Sequence, residues 1–282
     1  MRKNNSVLLS TPYILWMLVF TLIPLGVVGY YALTDPNTGS FTFGNLWQLT
    51  EYAKVMWESI LYSLISAVIC LLLGYPVAYF IAHRSPTMQK ILYMLVMLPM
   101  CMSFLLRTLA WVGLLQDNGI ISDILGILGI HRLVELLGLP RIQLIRTPFA
   151  VVLGMVYNYL PYMILPLYAV IVKIDKRLIE AAEDLGCTPV KVFTKVVLPL
   201  SVPGILSGIT MVFVPAVSTF YISQKLGGPD TVLIGDVIER FFKQGNNANL
   251  GAALSLVLML LVFVCTGIMN RFGSDEEGSV IV

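Results

Sequence analysis

Six apolar stretches, each about 20 residues long, are the feature that most constrains how this 282-residue chain can fold. The hydrocarbon core of a bilayer is about 30 Å thick, and a helix needs about 20 residues to cross it. Inside lipid, every backbone N–H and C=O must find its partner within the segment, so each stretch is expected to be helical. The stretches cover approximately residues 12–33, 59–82, 91–115, 149–172, 200–222 and 250–269. We therefore predict an all-α integral membrane protein with six transmembrane helices.

The overall composition supports a membrane protein and excludes other classes. Hydrophobic residues make up 57% of the chain and charged residues only 12%, well outside the range of soluble domains. A formal net charge of +2 leaves no broad basic surface for nucleic acid, so we exclude that partner. The four cysteines are far apart and are expected to be structural. The first stretch is too long for the apolar region of a signal peptide, and we expect it to be retained.

The distribution of Lys and Arg predicts the orientation of the chain. An even number of spans places both termini on one side of the membrane. If that side is the cytoplasm, the cytoplasmic segments hold ten of the Lys and Arg residues, whereas the longer outer loops hold seven. The excess has the direction that the positive-inside rule requires. We therefore predict that both termini are cytoplasmic.

The predicted cytoplasmic loop 173–195 has a helical pattern of its own. Asp175 can cap a helix by accepting backbone N–H bonds, and Gly186 suits the position after its end, where a left-handed backbone is common. One face of this helix would carry the apolar residues Leu178, Ile179, Ala182 and Leu185.

A second short helix is predicted to follow directly. Thr188 is a candidate N-cap, and Pro189 occupies the first helical position, where its missing N–H does no harm. The apolar stripe of this helix would be Val190, Phe193 and Val197. Leu198-Pro199 is then expected to turn the chain back into the membrane. The pattern thus predicts two short helices, joined at Gly186, on the cytoplasmic surface.

The outer segment 116–148 contains a second amphipathic pattern. Its apolar pairs begin at Ile120 and continue to Leu137, with a spacing that predicts short helices lying on the surface. Two interpretations stay open. These helices either cover the ends of neighbouring spans or form a platform on which an extracytoplasmic partner docks.

The spacing in the cytoplasmic loop resembles that of bacterial ABC-importer permeases. The matching residues are Glu180-Ala181-Ala182, then Gly186 after three residues, then Val196-Val197-Leu198-Pro199 after nine more. The resemblance covers about residues 12–270 and is closest to the spermidine/putrescine importer permeases. Further matching runs are Leu105 to Trp111, Leu115 to Ile121, Phe220 to Ser223, Leu226 to Thr231 with Ile234-Gly235, and Gly251 to Ala253. Relatives often carry a carboxylate at the outer end of the fifth span, where this chain has Thr219 and Gln224.

The resemblance implies a fold, a function and a set of partners. The fold would be the type I ABC importer transmembrane domain, divided into a first helix with its outer loop (1–58), a core (59–271) containing a coupling loop (173–199), and an acidic cytoplasmic tail (272–282). The chain would not be an enzyme, because ATP and Mg would bind to a separate ATPase subunit. Its partners would be a second homologous permease, an ATPase dimer, an extracytoplasmic substrate-binding protein and the lipid bilayer of the bacterial inner membrane.

The residues that the resemblance implies for ATPase coupling lie between positions 180 and 199, which we call the coupling segment. They are Glu180, Ala181, Ala182, Asp184, Gly186, Leu198 and Pro199. Movement of the ATPase at this segment would drive alternating access and carry polyamines inward. The same class also carries ferric iron, thiamine and phosphonates, so other small solutes stay an alternative. A gradient-driven secondary transporter is a further alternative, but it would need intramembrane carboxylates or an internal repeat, and the sequence has neither.

Polar and aromatic residues within the spans are candidates for the substrate pathway. Arg107 is the only charged residue well inside a span, and it could face water, pair with a partner subunit or extend to the membrane surface. The uncharged candidates are Trp111, Tyr157, Asn158, Tyr159, Tyr162 and Tyr221. Aromatic faces can hold ammonium groups by cation–π contact, although the same residues are equally typical of helix packing or of the membrane interface.

Overall fold

The computed structural model describes residues 12–35, 39–127, 143–229, 231–245 and 247–277. Within these ranges the regular structure is helical, apart from one antiparallel bridge between Thr34 and Phe41. This confirms the all-α prediction. The helices are α1 (Pro12–Ala32), α2 (Ala53–Ala82), α3 (Pro86–Met97), α4 (Phe104–Leu115), α5 (Ile120–Ile127), α6 (Pro148–Ile171), α7 (Lys176–Asp184), α8 (Pro189–Val217), α9 (Tyr221–Leu226), α10 (Ile234–Lys243) and α11 (Ala248–Glu277).

Five of the six predicted spans are single helices that are long and apolar enough to cross a membrane. They are α1, α2 together with the helical turns that precede it from Gly44, α6, α8, and the part of α11 from Ala248 to Met269. In the outer segment, α5 confirms a short helix over Ile120–Ile127. The rest of that prediction, including Leu133 and Leu137, lies outside the described residues.

The third span differs from the prediction, because a continuous helix over 91–115 is wrong. The stretch Pro86–Cys101 and the stretch Phe104–Ile124 meet at 86°. Pro99 lies in a 3-10 turn and cannot donate a backbone hydrogen bond, and the next residues, Met102 and Ser103, leave the helical conformation with ψ values of 148° and 131°. The described residues therefore contain six candidate spans if this bent pair counts as one.

The fifth span also begins earlier than its composition suggests. The predicted turn at Leu198-Pro199 is wrong, because α8 runs unbroken from Pro189 to Val217. A π-helical turn at Phe193–Val197 precedes the proline, and the Leu198 N–H donates to the Phe193 carbonyl, five residues back. Pro199 follows directly, so the change in hydrogen-bond pattern coincides with a residue that has no N–H to donate.

The described residues pack as two units, of which the first comprises Met1–Lys54 and Val237–Val262. Two buried amides in this unit serve the carbonyls that follow the last turn of α1, where the helix no longer supplies partners. Asn45 Nδ2 donates to the carbonyls of Ala32 at 3.1 Å and Thr34 at 2.9 Å. Asn249 Nδ2 also donates to the Thr34 carbonyl, at 2.6 Å. These bonds fix the loop after α1. The apolar stretch of α1 itself is not buried by the rest of the described chain.

The second unit comprises Val55–Asp236 and Phe263–Val282, and α6 lies at the centre of its core. Met155, Met163 and Leu167 of α6 are fully buried. Glycines allow the neighbouring helices to approach closely, as is common in membranes, where helices associate through packing. A Cβ added at Gly74 of α2 would lie 3.1 Å from Met163 Cγ, and one added at Gly204 of α8 would lie 3.1 Å from the Pro166 carbonyl oxygen.

Gly208 provides a test of the contact between α6 and α8. A Cβ at this position would lie 2.6 Å from Met163 Sδ and 3.3 Å from the Met163 carbonyl oxygen. We expect Gly208→Leu to force the two helices apart at a cost of about 1–3 kcal/mol, the usual penalty of overpacking. Thermal unfolding of the purified protein in detergent measures this as a lower Tm.

Gly267→Leu is the matched control for Gly208→Leu. Gly267 also lies within a helix, but nothing is within 4 Å of its Cβ position. Both substitutions gain about 0.8–1 kcal/mol of helix propensity, so the difference between them reports the contact alone. Equal Tm values for the two variants would contradict the close packing of α6 against α8.

Candidate functional site

The first helix of the coupling loop begins as the sequence predicts. Asp175 is the N-cap of α7, and its Oδ1 accepts a hydrogen bond from the Arg177 N–H at 3.0 Å. The carboxylate thereby satisfies one of the free donors in the first turn. Because Asp175 follows α6 after only three residues, it fixes the point at which the chain leaves the bundle.

The predicted end of α7 at Gly186 is also confirmed. Gly186 has φ +79°, a left-handed conformation that glycine adopts without steric cost. Its N–H donates to the Glu183 carbonyl at 2.8 Å, and the Cys187 N–H donates to the Ala182 carbonyl at 3.0 Å. This pair of bonds is a Schellman motif, which closes the helix and reverses the chain. Thr188 and Pro189 then begin α8 at the predicted positions.

The apolar face predicted for α7 is divided between the bundle and the exterior. Ala182 is buried and Ile179 is half-buried, but Leu178 is 50% exposed and Leu185 is 86% exposed. The other predicted coupling residues, Glu180, Ala181, Asp184, Gly186, Leu198 and Pro199, are all exposed. The coupling segment therefore presents acidic, small and apolar side chains together on an open surface.

Phe193 anchors the second helix of the loop to α2, a contact that sequence reasoning missed. The Phe193 ring meets the rings of Tyr75 and Tyr79 nearly at right angles, with centroid distances of 5.5 and 5.7 Å. The Tyr75 hydroxyl also lies 2.8 Å from Ser201 Oγ in α8. The apolar stripe containing Phe193 was visible in the sequence, but nothing there identified partners more than 100 residues away.

Four elements converge where α7 leaves the bundle. A small cavity of about 30 Å³ is enclosed there by the ends of α2 and α6, by α7 and by the π-helical turn of α8. Its lining residues include Ala82, Ile171, Ile179 and Val197. The ends of α2 and α6 thus lie next to α7 and to the π-helical turn of α8 around this cavity.

Arg107 lies in the first turn of α4, just after the break in the third span. Its side chain is only 6% exposed, and its Nε and Nη1 atoms have no hydrogen-bond partner among the described residues. The guanidinium is therefore largely enclosed by the protein. Among the described residues, His, Cys, Asp and Glu side chains form no group of three that could hold a metal ion.

Two other predicted pathway residues are buried with Arg107. Asn158 is 1% exposed, and its Nδ2 donates to the Gly154 carbonyl at 2.9 Å. The Tyr159 hydroxyl donates to the Pro215 carbonyl of α8 at 3.3 Å. Both side chains point into the bundle. The Asn158 bond lies within α6, whereas the Tyr159 bond connects α6 to α8.

The remaining candidates present an open aromatic surface. Trp111 and Tyr157 form an edge-to-face pair with ring centroids 5.3 Å apart, and Tyr157 is 37% exposed. Tyr162 is 36% exposed on the same helix. Tyr221 lies apart from this pair, next to Phe104, and the Lys225 ammonium sits 5.8 Å from the centre of its ring. The structure thus separates buried polar residues from accessible aromatic ones.

Known proteins resemble this chain over most of its length. Residues 73–274 match the family described as binding-protein-dependent transport system inner membrane component. The spermidine/putrescine transport system permease protein PotB of Haemophilus influenzae is 39% identical over 260 residues, which cover 88% of each chain. PotB of Escherichia coli is 34% identical, covering 88% of this chain and 90% of its own. The inner membrane ABC transporter permease protein YdcU of Escherichia coli is 30% identical, covering 91% of this chain and 85% of its own.

Solved structures share the fold at lower sequence identity. A chain of a bacterial ABC transporter that imports the acidic polysaccharide alginate superposes with a TM-score of 0.73 at 20% identity, covering 97% of this chain and 96% of that one. A chain of the MetNI methionine ABC transporter gives a TM-score of 0.60 at 17% identity, covering 84% and 99%. The match over residues 73–274, the relatives and the apolar helices together show that this chain belongs to the binding-protein-dependent transport system inner membrane component family, the multi-pass permeases of ABC importers.

Proposed function

We propose that this chain carries polyamines, with spermidine and putrescine as its substrates, through an importer powered by a separate ATPase. Support for the substrate comes from the spermidine/putrescine permeases that are 34–39% identical over about nine-tenths of their length. The open edge-to-face pair of Trp111 and Tyr157 suits such a substrate, because aromatic faces attract ammonium groups weakly, by about 0.5–2 kcal/mol. A transported cation must be released again, so weak contacts are adequate.

The ATPase subunit would dock on the exposed first part of the coupling segment, from Glu180 to Gly186. The observation that carries this proposal is the exposed turn of α7 at Gly186, where Leu185 is 86% exposed beside Glu180, Ala181 and Asp184. Leu178 and Val190 are also 50% and 71% exposed, so the loop carries several open apolar side chains, as protein-contact surfaces do. ATP and Mg would bind to the ATPase and not to this chain. The complete importer would contain a second permease, two ATPase copies and an extracytoplasmic binding protein.

Arg107 has a different place in this proposal. Because a buried cation repels a polyamine, Arg107 would be part of the wall next to the path and would not bind the substrate. Tyr159 and Asn158 would share this structural role, since both bond to backbone carbonyls inside the bundle. The path itself would run along the side of α4 and α6 that carries the Trp111–Tyr157 pair, whereas the Tyr162 ring contacts the buried Tyr159 ring at a centroid distance of 6.3 Å.

Gly186 provides the test of the docking segment. We expect Gly186→Val to reduce uptake by about tenfold or more, because a β-branched residue at φ +79° costs about 1–3 kcal/mol. The ATPase should no longer copurify with the chain, while the spans still insert. Nothing lies within 4 Å of the Cβ position, so the effect is one of backbone conformation and not of crowding.

The variant Gly186→Asn is the matched control, because asparagine tolerates the left-handed region better than other residues with a side chain. It should retain much of the uptake and of the bound ATPase. Unchanged uptake in Gly186→Val would contradict the docking role of the segment.

Uptake assays test the substrate. Cells that lack the gene should lose energy-dependent uptake of labelled spermidine or putrescine, and the restored gene should return it. Excess unlabelled polyamine should compete, whereas ferric iron, thiamine and phosphonate should not. Gene-dependent uptake of one of these three solutes, without any gene-dependent uptake of polyamine, would contradict the proposal and assign the chain to another substrate.

A further inference from the structure

The contact between Phe193 and α2 connects the coupling loop to a span that is not adjacent to it in the chain. The loop is covalently joined to α6 on one side and continues into α8 on the other. Phe193 begins the π-helical turn of α8, and its ring stands between Tyr75 and Tyr79, which lie one turn apart on α2. The interplanar angles are 84° and 83°, so both tyrosines meet the phenylalanine in the favourable edge-to-face arrangement.

A second attachment lies beyond the π-helical turn. Ser201 Oγ donates to the Leu198 carbonyl at 2.8 Å, so the Tyr75 hydroxyl can donate to the same Ser201 oxygen at 2.8 Å. Tyr75 is 8% exposed and Ser201 is fully buried. Tyr75 therefore contacts α8 at both ends of the turn, through Phe193 at its start and through Ser201 beyond its end.

The ring contacts continue to the end of α2. Tyr79 stacks on His83, with centroids 4.1 Å apart, and the His83 Nδ1 atom lies 2.8 Å from the Tyr79 carbonyl oxygen. His83 and Val197 of the π-helical turn also line the small cavity beneath α7. The aromatic cluster of Phe193, Tyr75 and Tyr79 thus joins the π-helical turn of α8 directly to α2.

The local backbone makes this place suited to movement. A π-helical turn has one residue more than an α-helical turn and often occurs at functional positions. Here it separates the short helical stretch Pro189–Val192 from the long stretch Leu198–Val217. Without a further contact, a displacement of Pro189–Val192 would distort the π-helical turn and leave α2 in place. Because two tyrosine rings of α2 contact Phe193, the same displacement would also move α2.

We propose that Phe193 is a positioning residue that transmits movement of the coupling segment to α2 through Tyr75 and Tyr79. This inference rests on the proposed docking of the ATPase at the coupling segment. Loss of the aromatic contact should leave docking and ATP hydrolysis in place but separate them from transport. A residue needed only for packing would instead lower the amount of assembled transporter without changing the uptake per ATP.

The test uses the complete importer reconstituted with its ATPase, partner permease and binding protein in lipid vesicles. Three quantities are measured, namely the ATPase that copurifies, the rate of ATP hydrolysis and the uptake of labelled spermidine. Phe193→Leu keeps an apolar side chain but removes the ring. We expect this variant to keep its bound ATPase and its basal rate of ATP hydrolysis. The uptake of spermidine per ATP hydrolysed should fall about tenfold, within the usual range of coupling between sites. Phe193→Tyr retains the ring and should restore most of this ratio.

Phe80→Leu is the matched control. Phe80 lies next to Tyr79 on α2, but it is 49% exposed and contacts Arg84, not Phe193. Its uptake per ATP should equal that of the unchanged protein. Tyr79→Leu removes one ring from the other side of the contact and should lower the ratio as Phe193→Leu does. The double variant should be no worse than the more severe single variant, since both changes break the same contact.

The outcomes separate this inference from the docking proposal. Uptake per ATP that is unchanged in both Phe193→Leu and Tyr79→Leu would overturn the inference, as would a loss of bound ATPase in Phe193→Leu like that expected of Gly186→Val. If the Gly186→Val variant keeps its bound ATPase and its uptake, the docking proposal is contradicted, whatever the Phe193 variants show. A Phe193→Leu chain that does not insert leaves Tyr79→Leu to decide, because that variant leaves the coupling loop unaltered.

Discussion

The close contact between α6 and α8 determines the geometry of the second unit. Lipid supplies no hydrophobic force between helices, so their association depends on how closely the two surfaces can pack. Gly204 and Gly208 of α8 provide this closeness, because their Cβ positions would lie 2.6–3.1 Å from atoms of α6. In the chain, α7 lies between these two helices, and the rest of the coupling segment forms the start of α8. Their contact therefore also fixes where that segment emerges from the bundle.

The coupling segment combines a rigid local structure with an exposed surface. The Asp175 cap and the two backbone bonds around Gly186 make α7 a closed unit with defined ends. Its buried side, at Ala182, holds it to the bundle, while Leu185 stays almost fully exposed. A short rigid helix with an open apolar tip is suited to transmit force from a partner. The Phe193 contact would extend that transmission to a helix outside the loop.

The polar residues within the spans fall into two groups with different physical roles. Arg107, Asn158 and Tyr159 are buried, and burial of polar groups is costly unless they interact with other polar groups. The bonds of Asn158 and Tyr159 go to backbone carbonyls, and the one from Tyr159 reaches a proline-containing stretch of α8. Trp111, Tyr157 and Tyr162 instead keep part of their faces open. In a transporter of cations, the open Trp111–Tyr157 pair is suited to the path and the buried group to its wall.

The sequence by itself determined the helical class, five of the six spans, and the cap and glycine that limit α7. These features depend on local chemistry, such as the length of an apolar stretch, a carboxylate beside free N–H groups, or a backbone conformation that favours glycine. Only the tertiary structure decided the 86° break in the third span and the continuous helix through Leu198 and Pro199. A proline can break a helix or be accommodated within a continuous one, and the choice depends on what packs around it. In the same way, Leu185 and Ala182 share one predicted face, and only the positions of α2, α6 and α8 decide that one is exposed and the other buried.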